Sequence, residues 1–414
     1  MEKLARVIET RSVLPETMTR SKRKICVVTP EFPPDQWGGL ARTVDRVARH
    51  IRDMGLEVHV AHFTVFDEAP VFLDENRQTR ETDGMIVHSI RVGREELAGS
   101  GRELWDCPHN LTLQMMYQSL EMLHAEAGFE VLHSFFLYPV GYVVGLLARR
   151  LGIPSIVTIV GNDVKKYFFS PEKVAVCRSG LDNADRVVAL SQDLADMANA
   201  LTSIDGKYRI IYNSVEIPRL NRSTELTNRG KFRIGCAGIF KYAKGLPYLF
   251  RAVARISRQR DVNLELVGQL RESEKETFNY VLDTTGIKDV LSMIDPLPHD
   301  LLQKWIRSLD VFVLPSLTEG CPNVLMEAMA GGVPVIATRT GAADVLVEDQ
   351  VSGLLVPWGH PSALASAIFQ IMDNPVFAES LGKAGRIRMK RFSPEMERQS
   401  WESVYREFLE FKGQ

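Results

Sequence analysis

The chain has 414 residues, 45% of them hydrophobic and 25% charged, and a formal net charge of −2. That length exceeds one ordinary hydrophobic core and argues for about two to three domains, while the balanced charge gives no electrostatic reason to expect a nucleic-acid partner. The five cysteines, Cys26, Cys107, Cys177, Cys236 and Cys321, are scattered and form no C-x-x-C, which argues against a disulfide framework or zinc site and for a reducing compartment.

The first segment, MEKLARVIETRSVLPETMTRSKRK, has no apolar core of signal-peptide type, and residues 1–23 read as a poorly ordered tail. KICVVTP then reads as a buried strand. LARTVDRVARHIRDMG reads as a helix with Val44, Val47, Ala48, Ile51 and Met54 on one face, stopped by Gly55. EVHVAHF is the next strand, and the 68–84 and 94–110 stretches read as loops inserted on the first domain. EVLHSFF, PSIVTIV, RVVALS and YRIIYN follow, each spaced by a helix-like segment. A second series runs FRIGCAGIF, NLELVG, VLSMI, VFVLPS, VPVIAT and SGLLVPW. Strand–helix alternation predicts parallel sheets covered on both faces. Two such series predict an α/β chain of two doubly wound domains facing across a cleft, residues 24–215 and 216–392. The polar stretch NSVEIPRLNRSTELTNRGK, 213–231, links them, and 393–414 reads as a C-terminal helix returning to the first domain. No uncharged apolar run is long enough to span a bilayer.

Open parallel sheets bind ligands at the carboxyl ends of their strands, so three strand ends matter most. After the first strand, PPDQWGGLAR places Gly38 and Gly39 at the start of a helix, where a ligand can approach backbone and free N–H groups. The chain contains no G-x-G-x-x-G, which counts against a nicotinamide or flavin site. At the head of the second series, GIFKYAKGLPYLF places Lys244 where the next helix begins and Lys241 one loop position earlier, a pairing suited to a diphosphate; two solvated lysines are the bland alternative. The third end is TEGCPNVLMEAMAGG. Pro322 suits a first helical turn, leaving the amides of Cys321, Asn323 and Val324 as uncapped donors after the Glu319-Gly320 turn. Glu319 lies in the loop and Glu327 about a turn into the helix, and carboxylates accept paired hydrogen bonds from the vicinal hydroxyls of a ribose or hexose. Dipole compensation would account for Glu327 but not for Glu319 or the apolar neighbours.

Taken together, these runs resemble the glycosyltransferases of family 4, which have the GT-B fold of two Rossmann-like domains. The resemblance is carried by LPSLTEGCPNVLMEAMAGGVPVIATRTGAADVLVEDQVSGLLV, with seven residues between its two glutamates, and by GIFKYAKG, NSVE and ADRVVALS. It implies that Glu319 holds the donor sugar, that Glu327 holds the nucleotide ribose, and that Lys244 neutralises the leaving diphosphate. The family's arginine after the first glycine is Ile239 here, so Lys241 stands as the substitute. In VGND, Val160 stands where the family often has histidine, and Asp163 is kept as a contact for sugar or acceptor. His133 in EVLHSFF matches a family histidine near the cleft. The implied activity is transfer of a hexose from a UDP- or GDP-sugar to an acceptor sugar, lipid or small molecule, with retention of configuration and no metal or other cofactor. No D-x-D occurs, and His59 and His62 fall on opposite faces of a strand, so neither offers a metal site. A catalytically inactive nucleotide-sugar-binding protein and a nucleotide-sugar epimerase on the same fold stay open as alternatives. The expected location is the cytoplasm, with TRSKRK and GRIRMKRF read as solvated surface or as a contact on the inner face of a membrane.

Overall fold

A computed structural model of the chain describes residues 22–36, 38–66, 75–93, 108–219 and 230–409. The N-terminal tail through residue 21, positions 67–74 and 94–107 of the two inserted stretches, and 220–229 of the linker lie outside the described residues.

The fold is two sheets with helices on both faces, as the strand–helix alternation predicts. The first holds β1 (Lys24–Thr29), β2 (Glu57–Phe66), β3 (Arg77–Thr82), β4 (Met85–Gly93), β5 (Val131–Phe135), β6 (Ser155–Ile159), β7 (Arg186–Ala189) and β8 (Tyr208–Ile210), in the order β3-β4-β2-β1-β5-β6-β7-β8. The second holds β9 (Phe232–Phe240), β10 (Val262–Leu270), β11 (Leu291–Ile294), β12 (Val311–Leu314), β13 (Val335–Thr338) and β14 (Leu354–Val356), in the order β11-β10-β9-β12-β13-β14. Among these strands β3 alone runs antiparallel to its neighbour, pairing Arg80 with Val87.

The β3–β4 hairpin corrects the expectation of a loop over 68–84. RQTRET is a half-exposed edge strand, and the chain reverses at Asp83 (φ 48) and Gly84 (φ 69). Asp-Gly is the dipeptide that such a tight turn favours, because both positions need a positive φ. The second inserted stretch likewise gives way at its end to a helix, Pro108–Ala127.

Period-two alternation explains how each sheet is buried on both sides. Ile25 and Val27 of β1 enter one core with Val44, Val47 and Ile51 of the first helix (Gly39–Asp53), while Cys26 and Val28 enter another with Met116, Leu120 and Leu132. His59 and His62 follow the same alternation to opposite faces: His59 Nδ1 meets His88 Nε2 at 2.9 Å, and His62 lies beside Asp35 and Gln36. In β12, Val311 and Val313 face the Leu246–Ser257 helix, while Phe312 and Leu314 face a core continuous with Val157, Ile159 and Leu194 of the first sheet.

The helix Pro394–Leu409, at the end of the described chain, packs on the first sheet rather than the second. Trp401 and Tyr405 are buried against β1 and the first helix. Glu397 binds Arg46 at 2.7 Å, His50 at 3.4 Å and the Ser214 hydroxyl. Arg46 also donates to Asn213, whose amide reaches the Cys321 carbonyl at 3.1 Å and Asn323 at 2.8 Å. One buried polar chain thus connects the C-terminal helix, the first helix, the linker and the second domain.

Candidate active site

The carboxyl ends of β1, β9 and β12 open on one cavity of about 310 Å³ between the domains. Its second-domain wall is built by two glycine-dependent approaches. Gly245 has φ 67, and a Cβ there would lie 2.0 Å from the Pro315 carbonyl oxygen. Only glycine lets the Lys241–Gly245 loop press on the chain after β12. That approach brings Lys244 Nζ to 2.6 Å from Glu319 Oε1, which also accepts from the Ser316 hydroxyl at 2.6 Å. At Gly320 a Cβ would lie 2.2 Å from the Val160 carbonyl oxygen, so only glycine lets this turn come up against the first domain.

Two helices begin at this wall without a side-chain cap or an acidic residue in the first turn: Leu246–Ser257 after Gly245, and Asn323–Ala330 after Pro322. Their free N–H groups supply partial positive charge. Gly320, Cys321, Pro322, Asn323 and Val324 all line the cavity beside them. Lys241 and Arg271 add charge at the ends of β9 and β10. Burial pushes the Lys241 pKa down, and the neighbouring Lys244 and Arg271 push it further down, with Glu319 opposing. A group of cations that repel one another is suited to a multiply charged anion. Ile239, 44% exposed, presents an apolar side chain at the same wall.

Glu327 lies one turn deeper and is 5% exposed. Its Oε1 accepts from Arg42 Nη1 of the first helix at 3.1 Å, and its Oε2 is buried without a partner. Burial raises its pKa; Arg42, His299 and Arg46 oppose that shift.

On the first-domain wall, Gly38 caps the first helix with an extended backbone, and Gly39 faces open space, since a Cβ there would meet nothing within 4 Å. Val160 and Gly161 line the cavity, but Asp163 sits behind them, fully buried. Its carboxylate accepts from the backbone N–H of Gly161 at 2.6 Å, Val160 at 3.0 Å and Leu137 at 3.3 Å. Burial pushes its pKa up to about 6 against those hydrogen bonds. Asp163 therefore shapes the wall and does not present itself to a sugar, which corrects its reading as a contact. His133 is corrected more fully. It is fully buried, with Nδ1 at 2.6 Å from the Tyr405 hydroxyl, Nε2 at 2.7 Å from the Thr158 hydroxyl, and its ring against Phe135 and Trp401. Burial lowers its pKa to about 3, so the ring is neutral and structural.

Arg42, Arg271 and Glu31 line the cavity and were not singled out by sequence reasoning, whereas Asn213, which also lines it, opens the NSVE segment. Arg42, Arg46 and His50 recur every four residues beside an apolar helical face, a stripe visible in the sequence. Arg271 directly follows a strand end. Among the described residues, no three His, Cys, Asp or Glu side chains form a metal-holding group, and no helix is long and apolar enough to cross a membrane. In GRIRMKRF, Arg386 is spent on the carbonyls of Ala330 and Pro218, and Arg388 on those of Leu346 and Val345.

Comparison with known proteins gives a consistent result. Residues 37–219 match the family described as Glycosyltransferase Family 4, and residues 231–374 match Glycosyl transferases group 1. The chain is 28% identical over 377 residues to a D-inositol 3-phosphate glycosyltransferase of Paenarthrobacter aurescens, covering 86% of this chain and 89% of that one. It is 26% identical over 379 residues to an uncharacterized glycosyltransferase of Methanocaldococcus jannaschii, covering 89% and 94%. Among solved structures, sucrose-phosphate synthase of Thermosynechococcus elongatus superposes with a TM-score of 0.74 at 23% identity, covering 93% of this chain and 99% of that one. The Anabaena protein HepE, in complex with UDP and glucose, superposes with a TM-score of 0.72 at 18% identity, covering 92% and 99%.

Proposed function

Because the chain belongs to glycosyltransferase family 4 and has the GT-B fold, we propose that it moves a hexose from a nucleoside diphosphate sugar to an acceptor hydroxyl with retention of configuration. The observation that carries this reading is the Lys244–Glu319 pair at 2.6 Å in the interdomain cavity, beside the uncapped start of the Asn323–Ala330 helix and one residue before the uncapped Leu246–Ser257 helix. A departing diphosphate needs positive charge that is fixed before the bond breaks, because such charge costs no reorganisation during reaction. Lys244, Lys241, Arg271 and the two helix ends supply it. In this reading Glu319, held by Lys244 and Ser316, accepts from donor-sugar hydroxyls, and Glu327, behind the lining residues Asn323 and Val324, accepts from ribose hydroxyls.

In this reading the acceptor oxygen attacks the anomeric carbon on the face the diphosphate is leaving. The bond from that carbon to the phosphate oxygen breaks, and that phosphate oxygen takes the acceptor's proton. The donor is a UDP- or GDP-sugar; HepE, with its bound UDP and glucose, supports the first. The acceptor, a sugar, lipid or small molecule, enters past Gly39 and Gly161. We place the enzyme in the cytoplasm; in GRIRMKRF, Arg386 and Arg388 are engaged by backbone carbonyls, which leaves the exposed Lys390 and Arg391 for any contact with the inner face of a membrane.

The test is a panel of UDP- and GDP-sugars with candidate acceptors, following free nucleoside diphosphate and the anomeric configuration of the product. Release that requires acceptor, with a retained anomer, is expected. Tight donor binding without acceptor-dependent release would favour the inactive binding protein for which Ile239 and Val160 argue. An inverted product would overturn retention.

A further inference from the structure

Arg42 stands in the first turn of the first helix, on the acceptor side of the cleft, yet its guanidinium ends on a carboxylate of the other domain. Nη1 lies 3.1 Å from Glu327 Oε1, with the arginine side chain 31% exposed and the glutamate 7%. Glu327 Oε2 is buried and has no hydrogen-bond partner. A buried carboxylate with one oxygen tied and the other empty is half satisfied, and such an acceptor calls for a donor. Other groups near Glu327 do not replace the tie. Arg46, one turn along the same helix, is committed to Glu397 at 2.7 Å and to Asn213 at 3.0 Å. His299, at the start of the helix His299–Arg307, acts on Glu327 through its charge, after Arg42 in strength.

We propose that Arg42 is a positioning residue of the donor site supplied from the opposite domain: by holding Oε1 of Glu327 it aims Oε2 at a ribose hydroxyl of the nucleotide. This rests on the reading of Glu327 as the ribose contact. It makes ribose recognition complete only when the two domains are together, so nucleotide binding and domain approach favour each other. Burial pushes the Glu327 carboxyl towards its neutral form, and the Arg42 charge is the largest effect opposing it. Without Arg42 the carboxyl would take up its proton at higher pH and lose its capacity to accept two hydroxyl hydrogen bonds.

The experiment measures binding of UDP, GDP and their 2′-deoxy analogues by calorimetry between about pH 5 and 8, alongside melting temperature. The proteins are the wild type, Arg42→Met, Arg42→Lys and Glu327→Gln. Arg42→Met is expected to weaken the ribonucleotide roughly tenfold or more and to move the acid limb of binding to higher pH. Removal of the 2′-hydroxyl should then cost little further, because both changes act on one contact. Arg42→Lys should restore the acid limb, and it carries the test if the methionine variant does not fold. An arginine that merely staples the domains would lower the melting temperature and leave the acid limb and the 2′-hydroxyl preference as in wild type, which overturns the proposal. If Glu327→Gln weakens the nucleotide while both Arg42 variants bind like wild type, the Arg42 proposal alone fails. If Glu327→Gln also binds like wild type, the ribose reading fails with it.

Discussion

Asp163 and Glu327 are buried carboxylates on the two sides of one cleft, and they differ in how their oxygens are used. Asp163 accepts from three backbone N–H groups of its own domain. Glu327 has one oxygen on an arginine from the other domain and one with no partner. His133 and Glu319 repeat the contrast. Both ring nitrogens of His133 are engaged within the core, whereas Glu319 is held by a lysine that itself lines the cavity. A polar group whose bonds are complete within its own domain is holding the fold. One whose partners are incomplete or exchangeable is waiting for something else.

The largest effect that would test this contrast is at Lys244. Replacing it with alanine should lower kcat by about a hundred- to a thousandfold, the usual scale for losing one preorganised electrostatic group, and should weaken donor binding as well. Steady-state kinetics would show it; a rise in the donor KM alone would make Lys244 a docking group. Next in size is Glu397, whose carboxyl is held down to about 2: burial would raise it, but Arg46, His50 and Ser214 prevail. A folded pKa below the unfolded one stabilises above the unfolded value and is lost as pH falls. Stability worth about 3 kcal/mol should therefore disappear between roughly pH 5 and 2. Glu397→Gln should remove that dependence in denaturant unfolding. Asp163 should slope the other way. Its pKa of about 6 lies above the ordinary 3.8, so its contribution is present at low pH and lost as pH rises through about 6.

His133→Phe should cost about 1–3 kcal/mol of stability by stranding the Tyr405 and Thr158 hydroxyls, with kcat per folded molecule unchanged. A large fall in kcat would return His133 to the catalytic machinery. The smallest effect is expected from chelator after metal stripping. With the leaving group met by lysines and helix ends, turnover should persist with at most a modest loss. Loss of turnover that magnesium or manganese restores would show that the diphosphate is neutralised differently.

The sequence was most legible where one residue type serves one geometric need. The run 318–332 announces its turn, its helix start and both glutamates, because Gly320 permits a close backbone approach that a side chain would block and Pro322 fixes its φ at a helix start. The β3 strand was missed because RQTRET lacks an apolar face, although Asp83-Gly84 marked the turn. His133 and Asp163 were misplaced for another reason. A polar residue within or just past a strand looks the same in sequence whether the cleft or the protein interior receives it: Asp163 is received by nearby backbone N–H groups, and His133, inside β5, by Tyr405, 272 positions away. Arg42 and Arg271 were passed over because their partners and their cavity exist only once two distant segments meet.

The helix Pro394–Leu409 has a consequence for the order of synthesis. Trp401 and Tyr405 complete the core of the first domain, yet a ribosome makes them after the whole second domain. The first domain can assemble its sheet early, but its core around Val44 and Val47 stays open until the last residues of that helix emerge. The second domain needs nothing from that helix for its own core, so the part of the chain translated first is the part that finishes folding last.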